Sequence, residues 1–99
     1  MPLDWQDVQR RYGQGAQVPT VAGGKTLEVT GADEDRIYIR TSLWRAELQR
    51  SDLERAVSLL EEGRITRHPG HFAEEYRHMV TDERGSSVAH ILKDLGFLG

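Results

Sequence analysis

The sequence predicts an α+β fold: an N-terminal helix, a three-stranded antiparallel β-meander, and three C-terminal helices packed on one face of the sheet. Two patterns carry this reading. Between Lys25 and Gln49 apolar residues recur at every second position, and after Ser51 they recur at helical spacing. Period two turns one strand face to a core, whereas a spacing near 3.6 draws an apolar stripe along a helix. Size is the third observation. Ninety-nine residues suit one domain, which at this length buries roughly 60–70% of its unfolded surface.

Residues 1–24 read as a helix followed by a glycine-rich loop. Trp5, Val8 and Tyr12 fall on one helical face, Asp4 is placed to cap it, and Gly13 to stop it. Gly13 to Gly24 shows no period, with room for a short edge strand near Thr20 and Val21. In the 25–49 meander, Leu27 and Val29 alternate with polar residues, as do Ile37 and Ile39, then Trp44, Ala46 and Leu48. Residues 31–35 and Thr41-Ser42 supply turns short enough to force antiparallel neighbours.

The helical part spans 51–97. Ser51-Asp52-Leu53-Glu54 has the form of a capping box ahead of the stripe Leu53, Ala56, Val57, Leu60, and Gly63 ends that helix. Pro69 signals the next, with Phe72, Tyr76, Met79 and Val80 facing inward. The last opens at Ser86 or Ser87, buries Val88, Ile91, Leu92 and Leu95, and stops at Gly96, where Phe97 folds back onto it. The sheet's outer face is then left to solvent or a partner.

Composition narrows function. Thirteen basic and sixteen acidic side chains give a formal charge of −3, split almost evenly between the halves. Such a balance does not favour bulk nucleic acid. With no cysteine, disulfides and thiolate metal sites are excluded, and a reducing, cytoplasmic setting is expected. The start, with Asp4 and no apolar run, does not read as a signal peptide. No stretch is apolar enough to span a membrane.

Gly23-Gly24-Lys25-Thr26 resembles the tail of a phosphate-binding loop. The full pattern needs a glycine where Pro19 stands and a helix where a strand follows, so a nucleotide site is rejected. No cofactor is expected. His71, Glu75 and His78 share one helical flank and form a weak metal candidate; two imidazoles and a carboxylate suit zinc. Ordinary surface pairing explains them as well. The serines lie in caps and turns rather than in a nucleophile elbow, and the carboxylates are scattered, so no catalytic role is expected.

Two surfaces remain. Arg36, Tyr38, Arg40 and Arg45 share the outer sheet face, where guanidinium groups around a ring suit phosphates and stacked bases. Glu28 and Glu47 share that face and are placed to pair with the arginines. Residues 71–80 and 86–95 form a helix-turn-helix-like pair, with Ser86, His90 and Lys93 outward and the Ser86 and Ser87 helix end open to a phosphate. The expectation is a non-catalytic binding or accessory module for a protein partner or self-association. The alternative is nucleic-acid binding through either surface. Trp44 discriminates: if it is exposed rather than core, it becomes a candidate interface anchor.

Overall fold

In the computed structural model, which describes residues 3–21 and 23–98, eight elements follow one another. They are α1 (Trp5–Tyr12), β1 (Ala16–Pro19), β2 (Thr26–Ala32), β3 (Arg36–Arg40), β4 (Arg45–Gln49), α2 (Arg50–Glu61), α3 (Pro69–Met79) and α4 (Gly85–Asp94). Met1 and Pro2 of the expected start, and Ala22 of the expected loop, lie outside the described residues.

Among the described residues the fold is α+β, with four helices and one antiparallel sheet of four strands in the order β1-β2-β3-β4. The expected three-stranded meander therefore gains a fourth strand. It forms at 16–19 rather than near Val21, pairing Ala16 with Val29 and Val18 with Leu27. Pro19 is tolerated because β1 is an edge strand, with no neighbour on its far side asking for an amide. The β2–β3 register shifts between Val29 and Gly31. This bulge sets Ala32 opposite Ile37 and keeps both on the core side.

Val18, Leu27, Val29, Ile37, Ile39 and Leu48 are buried from the sheet. They join one cluster with Trp5, Val8 and Tyr12 of α1, Leu53, Val57 and Leu60 of α2, Phe72 and Tyr76 of α3, and Ile91 and Leu92 of α4. Trp5 also donates its indole N–H to the Asp33 carbonyl at 2.8 Å, tying α1 to the β2–β3 turn. Each fully buried aliphatic or aromatic side chain of this kind stabilises the fold by about 1.5–3 kcal/mol.

Helix ends follow local chemistry. Asp4 caps α1, accepting from the Gln6 and Asp7 amides. At Gly63 and Gly96, both at positive φ, the chain turns back with paired bonds: Arg64 N–H to Leu59 O at 2.9 Å, and Phe97 N–H to Leu92 O at 2.9 Å. Only glycine enters that conformation without penalty. The expected capping box at Ser51 does not form. β4 runs straight into α2, which begins at Arg50 after Gln49 with no side-chain cap. The Arg50 amide instead donates to Asp35 O at 2.8 Å, and Glu54 pairs with Arg50.

Two apolar residues expected in the core are exposed, Met79 and Trp44. Trp44 has the right parity but lies before β4 starts, in a tip where Thr41 Oγ1 accepts from the Leu43 and Trp44 amides, both at 3.2 Å. The Thr41 amide donates to Trp44 O at 2.8 Å. A tight turn of this kind carries its last residue past the end of the sheet.

Candidate functional site

On the outer sheet face the charges are already matched. Arg40 lies opposite Glu28, and Arg36 flanks the rung that pairs Tyr38 with Glu47. Arg40 donates to Glu28 through Nη2 at 2.6 Å and Nε at 3.3 Å, and Arg36 Nε lies 3.3 Å from Glu47. The Tyr38 hydroxyl donates to the Asp33 carboxylate, which also accepts from the Asp35 and Arg36 amides. Those bonds, the tyrosine's first, hold the Asp33 carboxyl below its ordinary range, and the same bond raises the Tyr38 hydroxyl above its own. Of the four residues singled out here, Arg45 alone has a side chain with no ion-pair or hydrogen-bond partner among the described residues.

The His71, Glu75 and His78 flank is not drawn together. Glu75 Oε1 accepts the Thr66 amide at 3.0 Å, and His71 stacks against His68 with ring centroids 4.8 Å apart. Among the described residues, no three His, Cys, Asp or Glu side chains are grouped to hold a metal ion.

α4 divides its expected outer face. His90 Nδ1 accepts the Val21 amide at 3.0 Å, and Lys93 Nζ donates to Val21 O at 3.5 Å. Both side chains thus clamp the β1–β2 loop. Burial first, then the Lys93 charge, lowers the affinity of His90 for a proton. Ser86 alone of the three stays with the open helix end.

That end lines a groove of about 720 Å³ with Trp44, Gly70, Ala73, Glu74, Arg77, Asp82, Arg84, Gly85 and Ser87. Three elements build it. Gly70, Ala73, Glu74 and Arg77 follow one flank of α3 at helical spacing. Gly85 lets α4 close against that helix: a Cβ there would stand 3.2 Å from Ala73 O and 3.3 Å from the Tyr76 ring. The β3–β4 tip supplies Trp44, over whose ring the Arg84 guanidinium carbon sits at 4.4 Å from the centroid. Leu43 beside it is 89% exposed and Trp44 37% exposed.

Charge in the groove is mixed, with Arg77 and Arg84 against Glu74 and Asp82. Neither arginine has an ion-pair partner among the described residues. No periodicity or motif in the sequence marks either of them. The one available signal was an arginine directly before the last helix, where a capping oxygen is usual.

A second, smaller hollow of about 460 Å³ lies between Leu3, Asp4, Asp7, Arg67, Leu95, Gly96 and Phe97. Arg67 is occupied there, donating to Phe97 O at 2.9 Å. Among the described residues, no helix is long and apolar enough to cross a membrane. Set against protein-family models, characterised proteins and solved structures, the chain matches none of them.

Proposed function

We propose that this chain is a non-catalytic binding module that docks a protein partner at the β3–β4 tip and the adjoining groove. The observation that carries it is the exposed pair Leu43 and Trp44, of which Trp44 lines a groove with α3 and α4. A large apolar side chain held in a short turn costs little entropy on docking and excludes water once covered.

Nucleic acid is the weaker reading. Phosphate contacts supply most of the affinity for DNA or RNA, and Arg36 and Arg40 are already engaged by Glu47 and Glu28. The overall charge of −3 adds long-range repulsion.

A photo-crosslinking amino acid at Leu43, installed in the producing cells, tests the proposal against the same group at exposed Ser58. Discrete protein adducts are expected from position 43 only, and are lost on Trp44→Ala. An adduct of twice the chain's mass identifies self-association as the docking event. Equal labelling from both positions, or adducts removed by nuclease, overturns the reading.

A further inference from the structure

We infer that the N-terminus of α4, with Arg77 and Arg84, is a binding site for a phosphomonoester carried by a protein partner. This rests on the proposed docking surface and assigns the chemistry of its deepest part.

The helix end is built without a cap. Its N-cap residue is Arg84, in a left-handed conformation at φ 59°, with no side-chain bond to the helix amides. The first backbone bond is Val88 N–H to Arg84 O at 3.0 Å. The amides of Gly85, Ser86 and Ser87 therefore have no helical acceptor. The residue that normally offers an oxygen here offers a cation instead. A positive charge at the positive end of a helix dipole is unfavourable by itself, and becomes favourable once an anion sits between them.

Ser87 is the independent sign of a ligand. It is 8% exposed and is the one buried polar residue among those described. Its hydroxyl makes no hydrogen bond to any described residue, yet among the described residues no fully enclosed polar side-chain atom lacks a partner. The oxygen must therefore open onto the groove that Ser87 lines. A hydroxyl this recessed, with no partner inside the protein and its oxygen facing the groove, is placed to be completed by a group that enters there.

The donor set selects the ligand. Three amides, the Ser86 and Ser87 hydroxyls and two guanidinium groups exceed the roughly four sites at which a carboxylate accepts. They suit three terminal oxygens bearing about −1.5 to −2 charges. A nucleic-acid phosphodiester presents two such oxygens and brings further charges on either side. Glu74 and Asp82 at the groove wall repel that string while leaving room for a single phosphate. Trp44 and Leu43 then meet the apolar residues flanking it.

Amide NMR spectra of the whole chain test this with three probes: inorganic phosphate, a phosphoserine peptide with apolar flanks, and the same peptide unphosphorylated. Phosphate and phosphopeptide are expected to shift the Gly85, Ser86 and Ser87 amides. The phosphopeptide should bind at least about tenfold tighter than its unmodified form, the effect of one charge-assisted hydrogen bond. Arg84→Gln and Arg77→Gln, both exposed, should each weaken phosphopeptide binding by about tenfold. Ser87→Ala should weaken it several-fold at an unchanged melting temperature. Unmoved amides at millimolar phosphate, or arginine variants that bind like the parent, overturn the site. A single-stranded oligonucleotide that shifts these amides where the phosphopeptide does not also overturns it. Crosslinks from position 43 that survive phosphatase treatment alongside unmoved amides leave the docking surface standing and remove the phosphate site alone.

Discussion

The Arg84 guanidinium carbon lies 4.4 Å from the centroid of the Trp44 ring, joining the β3–β4 tip to the turn before α4. An exposed cation–π contact of this kind contributes about 0.5–1 kcal/mol. It also fixes the direction of a side chain that the core does not hold.

Arg84→Gln is accordingly expected to lower stability by no more than about 1 kcal/mol while increasing the mobility of Trp44. The two indole N–H signals separate the effects. Trp5, bonded to Asp33 O, should keep slow hydrogen exchange, while the Trp44 signal moves and broadens. A change at Trp5 of similar size would show that the substitution acts on the core instead.

The Tyr12 hydroxyl donates to Asp94 at 2.5 Å, linking α1 to the end of α4. Burial, followed by this bond, raises the tyrosine far above its ordinary value of 10.0. Burial likewise raises Tyr76. A raised folded-state value stabilises the fold fully below the unfolded value, and that stability falls as pH rises beyond it. Alkaline titration should therefore show phenolate absorbance of these two residues appearing together with unfolding above pH 10. Tyr12→Phe should cost about 1.5–3 kcal/mol, the range for a hydrogen bond to a charged group, in chemical denaturation.

Protonation of His90 at Nδ1 would place two donors face to face, because that atom accepts the Val21 amide. Its folded-state value is depressed below 6.5, so the neutral form is preferred by the fold. The associated stability is present above 6.5 and is lost as pH falls through the depressed value. Hydrogen exchange at Val21 and Gly23 is expected to accelerate in that acidic window, beyond its intrinsic pH dependence. His90→Asn, which keeps an acceptor near the Nδ1 position, should abolish the pH response.

Arg40 and Glu28 face each other on the outer sheet with a contact at 2.6 Å, yet both are well exposed. Solvent screening limits such pairs to about 0.2–1 kcal/mol. A double-mutant cycle of Arg40→Ala with Glu28→Ala should return a coupling in that range that shrinks with added salt. A coupling several times larger would mean that this face is less open to water than its exposure implies.

Elements whose own residues carry the signal were legible from the chain. Asp4 with Trp5, Val8 and Tyr12 suffices for α1, and the alternation of Leu27, Val29, Ile37 and Ile39 suffices for the central strands. Gly63 and Gly96 mark two helix ends. In each case cause and effect lie within a few residues. β1 was misplaced because Ala16–Pro19 contains a single core side chain, Val18, too few to show a period. It becomes a strand because β2 offers a free edge.

Trp44 departs from its pattern for the opposite reason: its parity matches the strand, but the Thr41 hydroxyl closes the turn before the strand begins. The groove lay furthest from view. Trp44, Arg77, Arg84 and Ser87 come from a hairpin tip, a helix flank, a turn and a helix start, and no local period relates them. Sequence alone determined which faces turn inward, because water exclusion acts on each side chain according to its own chemistry. Only the packing of α3 against α4, closed at Gly85, decided which polar groups would meet, because meeting depends on the relative placement of whole elements.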